Sequence, residues 1–261
     1  MNNKVLELFA GSRSFSKVAE SYGIQTHCTD HKPFDLVDQV CDIFDFNLNE
    51  CVNTLGGWPT VIWASPPCTY FSVASIGHHW NKDHTPKTKQ AEHGVMIIKK
   101  TMEIINSILA MNPSAFYMVE NPRGKLRKLN LINPYKLKTI TYCQYGDSRM
   151  KPTDIWTNLN WLPKPICKNG DKCHEPAPRG SQSGTQGMKN SYEKSKVPQE
   201  LCIEIIDSIL YEQKMADPSP HRFFLKHKGG DPRNHHWVEV GESEFKKANE
   251  RDCFKKILKG V

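Results

Sequence analysis

Two short stretches of this chain carry residue types that could do chemistry together. Trp63-Ala64-Ser65-Pro66-Pro67-Cys68 ends one apolar run on a thiol, and Val119-Glu120-Asn121-Pro122 ends another on a carboxyl group. Two prolines fix the chain ahead of Cys68, so the side chain after the strand is presented rather than free to reorient. A buried, inert cysteine is the alternative reading at Cys68, and a turn cap is the alternative at Glu120. A thiol nucleophile and an acid held at neighbouring strand ends suit chemistry on a pyrimidine ring.

Such positioning needs elements that deliver both groups to one edge. Val5-Leu6-Glu7-Leu8-Phe9 is a short apolar run ending in Ala10-Gly11-Ser12, and Phe15, Val18 and Ala19 follow at helical spacing, with Gly23 as a stop. Residues 24–29 are expected to form a second strand ending at Asp30, and residues 60–64 a later one ending at the Pro-Pro-Cys turn. Val95, Ile98, Met102, Ile105 and Leu109 recur at steps of three and four, which predicts a helix burying that face, and residues 115–119 return as a buried strand. Strands alternating with helices imply an α/β fold with a doubly wound, mostly parallel sheet. In such sheets ligands bind beyond the carboxyl ends of the strands, where Gly11, Asp30, Cys68 and Glu120 would gather.

After Gly124 the pattern changes. Residues 137–145 and 153–157 are expected to be strands flanking the polar turn 146–152, a hairpin that closes the sheet. Residues 159–196 are rich in Gly, Pro, Ser, Lys and Asn and read as loop or a small irregular insert. Pro198 opens a helix with Leu201, Ile205, Ile209 and Leu210 on its apolar side. From Asp217 onward the chain is basic and His-rich, with residues 222–226 and 237–240 as its only strand-like pieces.

The whole chain sets wider bounds. Its 261 residues, 38% hydrophobic, can bury one large core or one core with an appendage, and a net charge of +7 is a modest excess that favours a polyanionic partner without requiring one. Nine cysteines, scattered rather than spaced as a framework, read as reduced thiols of an intracellular protein. The first strand is expected at Lys4, which leaves no room for a targeting leader, and Lys99, Lys100 and Glu103 break the longest apolar stretch. The expectation is a soluble, cytoplasmic monomer without membrane contact. Cys167, Cys173 and His174 put two thiols and an imidazole in one short loop, but a fourth ligand is not evident from the spacing and no metal is assigned.

At the first strand-helix turn, Gly11 lets the backbone approach a ligand near a helix N-terminus, although any tight turn can call for glycine. Asp30 sits where a carboxylate often accepts from ribose hydroxyls, with a turn cap as the plainer reading. Asp42 would reach the same rim and could hold an exocyclic amine; a solvated carboxylate is the other reading.

Together these residues resemble the DNA cytosine-C5 methyltransferases, in particular the short type often carried by bacteriophages. Phe9-Ala10-Gly11 resembles the family's S-adenosylmethionine motif, Pro66-Pro67-Cys68 its nucleophile motif and Glu120-Asn121 its acid motif, in the family's order over most of residues 4–212. The resemblance implies the Rossmann-like methyltransferase fold, with S-adenosylmethionine as cofactor and DNA as partner. It implies cofactor contacts from Phe9, Ala10, Gly11, Ser12, Asp30, Asp42, Ser65 and Pro66, and catalytic roles for Cys68, Glu120 and Arg149. Ser195-Lys196-Val197-Pro198 resembles the motif whose helix packs beside the first strand. The chain then divides into a catalytic core (1–158), a reduced target-recognition insert (159–196), a closing helix (197–216) and a basic appendage (217–261).

Three departures accompany the likeness. Arg13 and Ser14 stand where further glycines are usual, Pro122 follows Asn121 where valine is usual, and residues 145–151 replace the family's Gln-x-Arg-x-Arg, which is how Arg149 comes to be assigned to the substrate. A target base must leave the helical stack, and the loop 69–93, with His78, His79, Lys82, Lys87 and Lys89, could close over it unless it is simply a solvated loop. Lys164, Lys168, Lys172, Arg179 and Lys189 could meet phosphates. The same chemistry on RNA or a free nucleotide, and a catalytically silent nucleic-acid-binding protein, are the alternatives.

Overall fold

The central strands are nearly continuous apolar runs because the sheet they build is covered on both faces. The protein is described by a computed structural model over residues 3–168, 170–176, 191–216, 221–227, 238–240, 245 and 253–259. In chain order the main elements are β1 (Lys4–Leu8), α1 (Ser14–Ser21), β2 (Gln25–Asp30), β3 (Gln39–Val40), α2 (Leu48–Thr54), β4 (Val61–Ala64), α3 (Ile76–His79), α4 (Lys89–Met111), β5 (Phe116–Pro122), β6 (Leu137–Thr141), β7 (Pro152–Thr157), α5 (Ser191–Ser195) and α6 (Gln199–Ala216). One sheet runs in the order β3-β2-β1-β4-β5-β7-β6. Its members from β3 to β5 are parallel, and β7 pairs antiparallel with both β5 and β6. This is the doubly wound sheet with a closing hairpin that the strand-helix alternation predicts.

Side chains alternate across the sheet and meet a different layer on each face. Leu6 and Leu8 of β1 and Ile62 and Ala64 of β4 share one core with Ile98, Ile105 and Ile108 of α4. On the other face Trp63 stacks on Phe15 of α1, ring centres 4.8 Å apart. Glu7, buried on that side, accepts from the backbone N–H of Ser16 at 2.7 Å and of Phe15 at 3.4 Å, satisfying open donors at the start of α1. Burial pushes the Glu7 carboxyl above its ordinary range.

Three local expectations need correction. In α4 the deepest stripe is Gly94, Ile97, Ile98, Thr101, Ile104, Ile105 and Ile108, so Val95, Met102 and Leu109 sit at its edge and pack only partly against the core. The strand expected over 137–145 stops at Thr141, and Tyr142–Tyr145 turn as a 3-10 helix closed by Gly146 at φ 81°. A third strand also follows the two expected near the C-terminus.

The chain divides into two compact units, Met1–Ile206 and Asp207–Val261. The second holds a three-stranded antiparallel sheet in the order β10-β8-β9, from β8 (His221–His227), β9 (Val238–Val240) and β10 (Cys253–Lys259). Three lysines in Cys253-Phe254-Lys255-Lys256-Ile257-Leu258-Lys259 hide any alternation, which is why β10 is not apparent in the sequence. Among the described residues no helix is long and apolar enough to cross a membrane.

Candidate active site

The carboxyl ends of β4 and β5 are tied by a side chain. Asn121, fully buried, donates from Nδ2 to the carbonyl of Pro66 at 2.9 Å, so the Pro-Pro-Cys turn and the Glu-Asn strand end hold one another in place. Cys68, half-buried, begins a turn in which its carbonyl accepts from the N–H groups of Phe71 and Ser72, each at 3.0 Å. Phe71 is buried against α4, and its own carbonyl accepts from Lys125 N at 2.7 Å. Gly124 makes that crossing possible, because a Cβ there would lie 2.2 Å from the Phe71 oxygen. Trp80, also buried, donates from its ring N–H to the Tyr70 carbonyl at 2.7 Å. The loop 69–93, expected as a closing flap, is thus anchored through two aromatic side chains and carries α3.

Glu120 is 5% exposed and faces the same edge. Its Oε1 accepts from the Tyr142 hydroxyl at 2.8 Å and lies 3.6 Å from Lys151 Nζ. Burial, reinforced by the Glu120 charge, holds the Tyr142 phenol well above its ordinary range. The Cys68 thiol is also raised; burial is the main cause, Lys151 opposes it, and Glu120 adds to it. Glu120 and Lys151 are thus in contact, and the Cys68 thiol feels the charge of both.

Arg149 is not the cation at this carboxylate. Its guanidinium is paired to Asp147, with Nε 2.8 Å from Oδ1, and donates to the carbonyls of Lys194 at 3.2 Å and Lys196 at 3.4 Å. It braces residues 147–151 against residues 194–196, while Lys151 Nζ lies 4.5 Å from the Tyr142 ring centre and reaches Glu120. The pattern Arg149-x-Lys151 carries both cations, and the sequence reading chose the first.

Beyond β1, β2 and β3 lies a cleft of about 180 Å³ lined by Phe9, Thr29, Asp30, His31, Cys41, Asp42, Ile43, Pro67, Tyr70, His93 and Ile97. It brings together three of the expected cofactor residues, Phe9, Asp30 and Asp42. Asp30 holds the loop after β1, since Oδ2 accepts from Gly11 N at 3.0 Å and Oδ1 from Lys32 N at 3.0 Å. The loop turns through left-handed conformations at Phe9 (φ 59°), Gly11 (φ 46°) and Arg13 (φ 54°), the last at a position where the family usually has a further glycine. Arg13 is buried behind this loop, donating to Cys28 Sγ at 3.3 Å and pairing with Glu20.

The remaining expected contacts sit beside the cleft rather than on its wall. Ser65 accepts from the Trp63 ring N–H at 2.9 Å, and Pro66 is buried under Asn121, leaving Pro67 to line the cleft. The Ser12 hydroxyl lies 2.7 Å from that of Ser14, which accepts from Val197 N at 3.1 Å. Ala10 is buried. Cys41, Ile43, Tyr70, His93 and Ile97 are wall residues the sequence reading did not name. Asp42 at the rim also caps the 3-10 turn Ile43–Asp45, accepting from Phe44 N at 3.1 Å.

The loop near Cys167 needs a further correction. A fourth group joins Cys167, Cys173 and His174: the thiol of Cys143, in the 3-10 turn after β6, and all four ligand atoms lie within 4.8 Å of one another. Arg179 and Lys189, expected to meet phosphates, and much of the insert around them lie outside the described residues.

The sheet order, with a nucleoside-sized cleft beyond β1 to β3 and a thiol-carboxyl pair beyond β4 and β5, is that of an S-adenosylmethionine-dependent methyltransferase. A "Probable DNA (cytosine-5)-methyltransferase" of Frog virus 3 (isolate Goorha) is 26% identical over 226 residues, 78% of this chain and 99% of that one. In its motif order and over most of its length the chain is similar to the cytosine-C5 methyltransferases, whose cofactor is S-adenosylmethionine. No family model matches the chain. Among solved structures, the Entamoeba histolytica methyltransferase EhMeth is 14% identical with a TM-score of 0.42, covering 66% of this chain and 57% of that one. For DNMT2 of Spodoptera frugiperda, solved as a mutant, the values are 15%, 0.36, 67% and 57%, and for S. pombe Dnmt2 they are 14%, 0.34, 63% and 52%. The chain thus spans a little over half the length of these solved structures.

Proposed function

We propose that this protein methylates carbon 5 of cytosine in DNA, through a covalent adduct of Cys68 at carbon 6. The observation that carries the reading is the Asn121–Pro66 hydrogen bond, because it locks the strand end bearing Glu120 to the turn bearing Cys68, with Lys151 beside both. Asp30 and Asp42 at the rim and Phe9, Ile43 and Ile97 on the wall suit a purine nucleoside, with carboxylates for its hydroxyl and amine donors. When bound there, S-adenosylmethionine supplies an electrophilic methyl group.

Carbon 5 of cytosine is a weak nucleophile. The Cys68 thiolate adds to carbon 6, and the displaced ring electrons move towards N3, where Glu120 supplies a hydrogen bond or proton. Carbon 5 becomes enamine-like and can accept a methyl group. Loss of the carbon 5 proton to a base returns the electron pair to the ring and expels the Cys68 thiolate. Lys151 favours the thiolate form of Cys68, and Tyr142 orients Glu120 through its hydroxyl.

The decisive experiment offers the protein, with S-adenosylmethionine, duplex DNA carrying 5-fluorocytosine at the target base. Fluorine cannot leave as the proton does, so a denaturant-stable adduct at Cys68 is expected, absent in Cys68→Ser. Parallel arms with unmodified duplex DNA, RNA and dCMP, read by nucleoside mass spectrometry, separate the substrates. Methylation of DNA without any adduct would overturn the covalent route, and methylation of RNA or dCMP alone would overturn DNA as the substrate.

A further inference from the structure

We propose that Cys143, Cys167, Cys173 and His174 form a structural zinc site. The observations are geometric and independent of the reaction. Cys173 Sγ lies 3.2 Å from Cys167 Sγ and 3.7 Å from Cys143 Sγ, and His174 Nδ1 lies 3.3 Å from Cys167 Sγ and 3.7 Å from Cys173 Sγ. A tetrahedral zinc with bonds of about 2.3 Å to sulfur sets its thiolates about 3.8 Å apart. These separations are near that value and well beyond the ~2.05 Å of a disulfide.

The donor set selects the ion. Three thiolates and one imidazole are soft and borderline ligands in a closed set of four, which suits zinc and not magnesium or calcium, whose ligands are oxygens. Cys143 and Cys167 are 6% and 3% exposed whereas Cys173 is exposed, so the cluster is walled on one side and open to an entering ion on the other. The groups around the ligands are already ordered: Cys167 N donates to Thr141 Oγ1 at 2.9 Å, and Gln144 Nε2 donates to Cys173 Sγ at 3.3 Å. A turn between the two loop cysteines is closed by Lys168 N donating to Asp171 Oδ2 at 2.7 Å and Asp171 N to the Lys168 carbonyl at 3.1 Å.

Such an ion would have work to do in the fold. Between β7 and α5 the described chain has neither helix nor strand, so the loop that carries Cys167, Cys173 and His174 is held by single hydrogen bonds, such as Lys164 N to the Tyr145 hydroxyl and Glu175 N to the Ser148 carbonyl, rather than by a ladder. Cys143 comes from the turn that closes β6, next to Tyr142, the donor to Glu120. Binding exchanges thiol protons for the metal, releasing up to three to solvent, and staples the loop to the strand end that supports the candidate active site.

The test uses the full chain, expressed with zinc in the medium and desalted under reducing conditions. Elemental analysis should find about one zinc per chain, as a closed four-ligand site requires. Cobalt(II) added to the chelator-treated protein should give the visible bands of a tetrahedral thiolate site, lost when zinc is added back. Cys143→Ser and Cys173→Ser should each lower zinc content by about tenfold or more, whereas Cys41→Ser, outside the cluster, should not. If a cysteine variant fails to fold, the wild-type zinc content and cobalt spectrum decide. Folded wild-type protein with less than about a tenth of a zinc per chain and no thiolate-cobalt band overturns the proposal, as does a Cys143–Cys173 disulfide found under reducing conditions.

Discussion

Asn121 Nδ2 sits 2.9 Å from the carbonyl oxygen of Pro66 in a fully buried position, and its own Oδ1 has no partner among the described residues. The bond joins the end of β5 to the turn after β4 rather than adding to a ladder, so its main worth is positional. Asn121→Ala is expected to cost about 1 kcal/mol of stability, the usual net value of one such bond. Methyl transfer should fall much further, by about a hundredfold, because a misplacement of about 1 Å between reacting groups can cost that much. Calorimetry with S-adenosylhomocysteine should show unchanged affinity. Equal losses in binding and turnover would place Asn121 in the cofactor site instead.

Lys151 should set the pH at which Cys68 reacts. Burial lifts the thiol above its ordinary value of 9.0, and the Lys151 charge pulls it back down. The thiolate is the reactive form, so alkylation of Cys68 by iodoacetamide should rise with pH. Removing the cation in Lys151→Met removes the lowering influence, so the profile should move to higher pH and the rate at pH 8 should fall about threefold or more. Lys151→Arg should restore most of it. A profile that stays put or moves to lower pH in Lys151→Met would exclude this role.

Glu120 and Asp42 should separate chemistry from binding. Glu120→Gln keeps an acceptor for the Tyr142 hydroxyl, so S-adenosylhomocysteine should bind as before while methyl transfer drops by about a hundredfold, the scale of an acid catalyst. Asp42→Asn should weaken S-adenosylhomocysteine binding and leave the rate at saturating cofactor within about threefold, as expected for a contact made equally in ground and transition states. The reversed pattern would exchange the two assignments.

How much of this was legible in the sequence follows from the distance over which each signal acts. β1, β4 and β5 are readable because burial on both faces leaves apolar runs such as Val61-Ile62-Trp63-Ala64, each followed by its own turn residues, whereas the two-residue β3 is too short to show any pattern. The position of Cys68 beside Glu120 follows from parallel neighbours ending at the same edge. Lys151 was harder to find, because Arg149 better matches the family pattern and only the Asp147 pair shows that its guanidinium is occupied. Cys143 was harder still. It lies 24 residues before Cys167 in a stretch whose apolar residues look like a continuing strand, and only the 3-10 turn at Tyr142–Tyr145 swings its thiol to the loop. In α4, Val95 and Ile97 are both apolar, and the choice of deepest stripe depends on the sheet it meets.

His27 should set part of the acid sensitivity of the fold. It lies in β2 with 1% of its surface exposed, edge-on to Phe46 at 6.5 Å between ring centres, and neither ring nitrogen has a hydrogen-bond partner among the described residues. Burial pushes its pKa below the ordinary 6.5, against the opposing charges of Asp38 and Glu50. The folded protein therefore holds His27 neutral, whereas the unfolded chain takes up a proton below about pH 6.5. The unfolded state then binds more protons, so stability falls as pH drops through that value. His27→Leu is close in volume, removes the orphaned nitrogens and removes the titration. An unsatisfied buried polar group costs about 1–3 kcal/mol, so the variant should melt a few degrees higher at pH 8, about 2–4 °C per kcal/mol for a chain of this size. Its advantage over the wild type should widen at pH 5.5. Thermal unfolding of both proteins at the two pH values checks this: a variant that melts lower at both, or a gap that does not change with pH, would show that the His27 ring is hydrogen-bonded or charged in the folded protein.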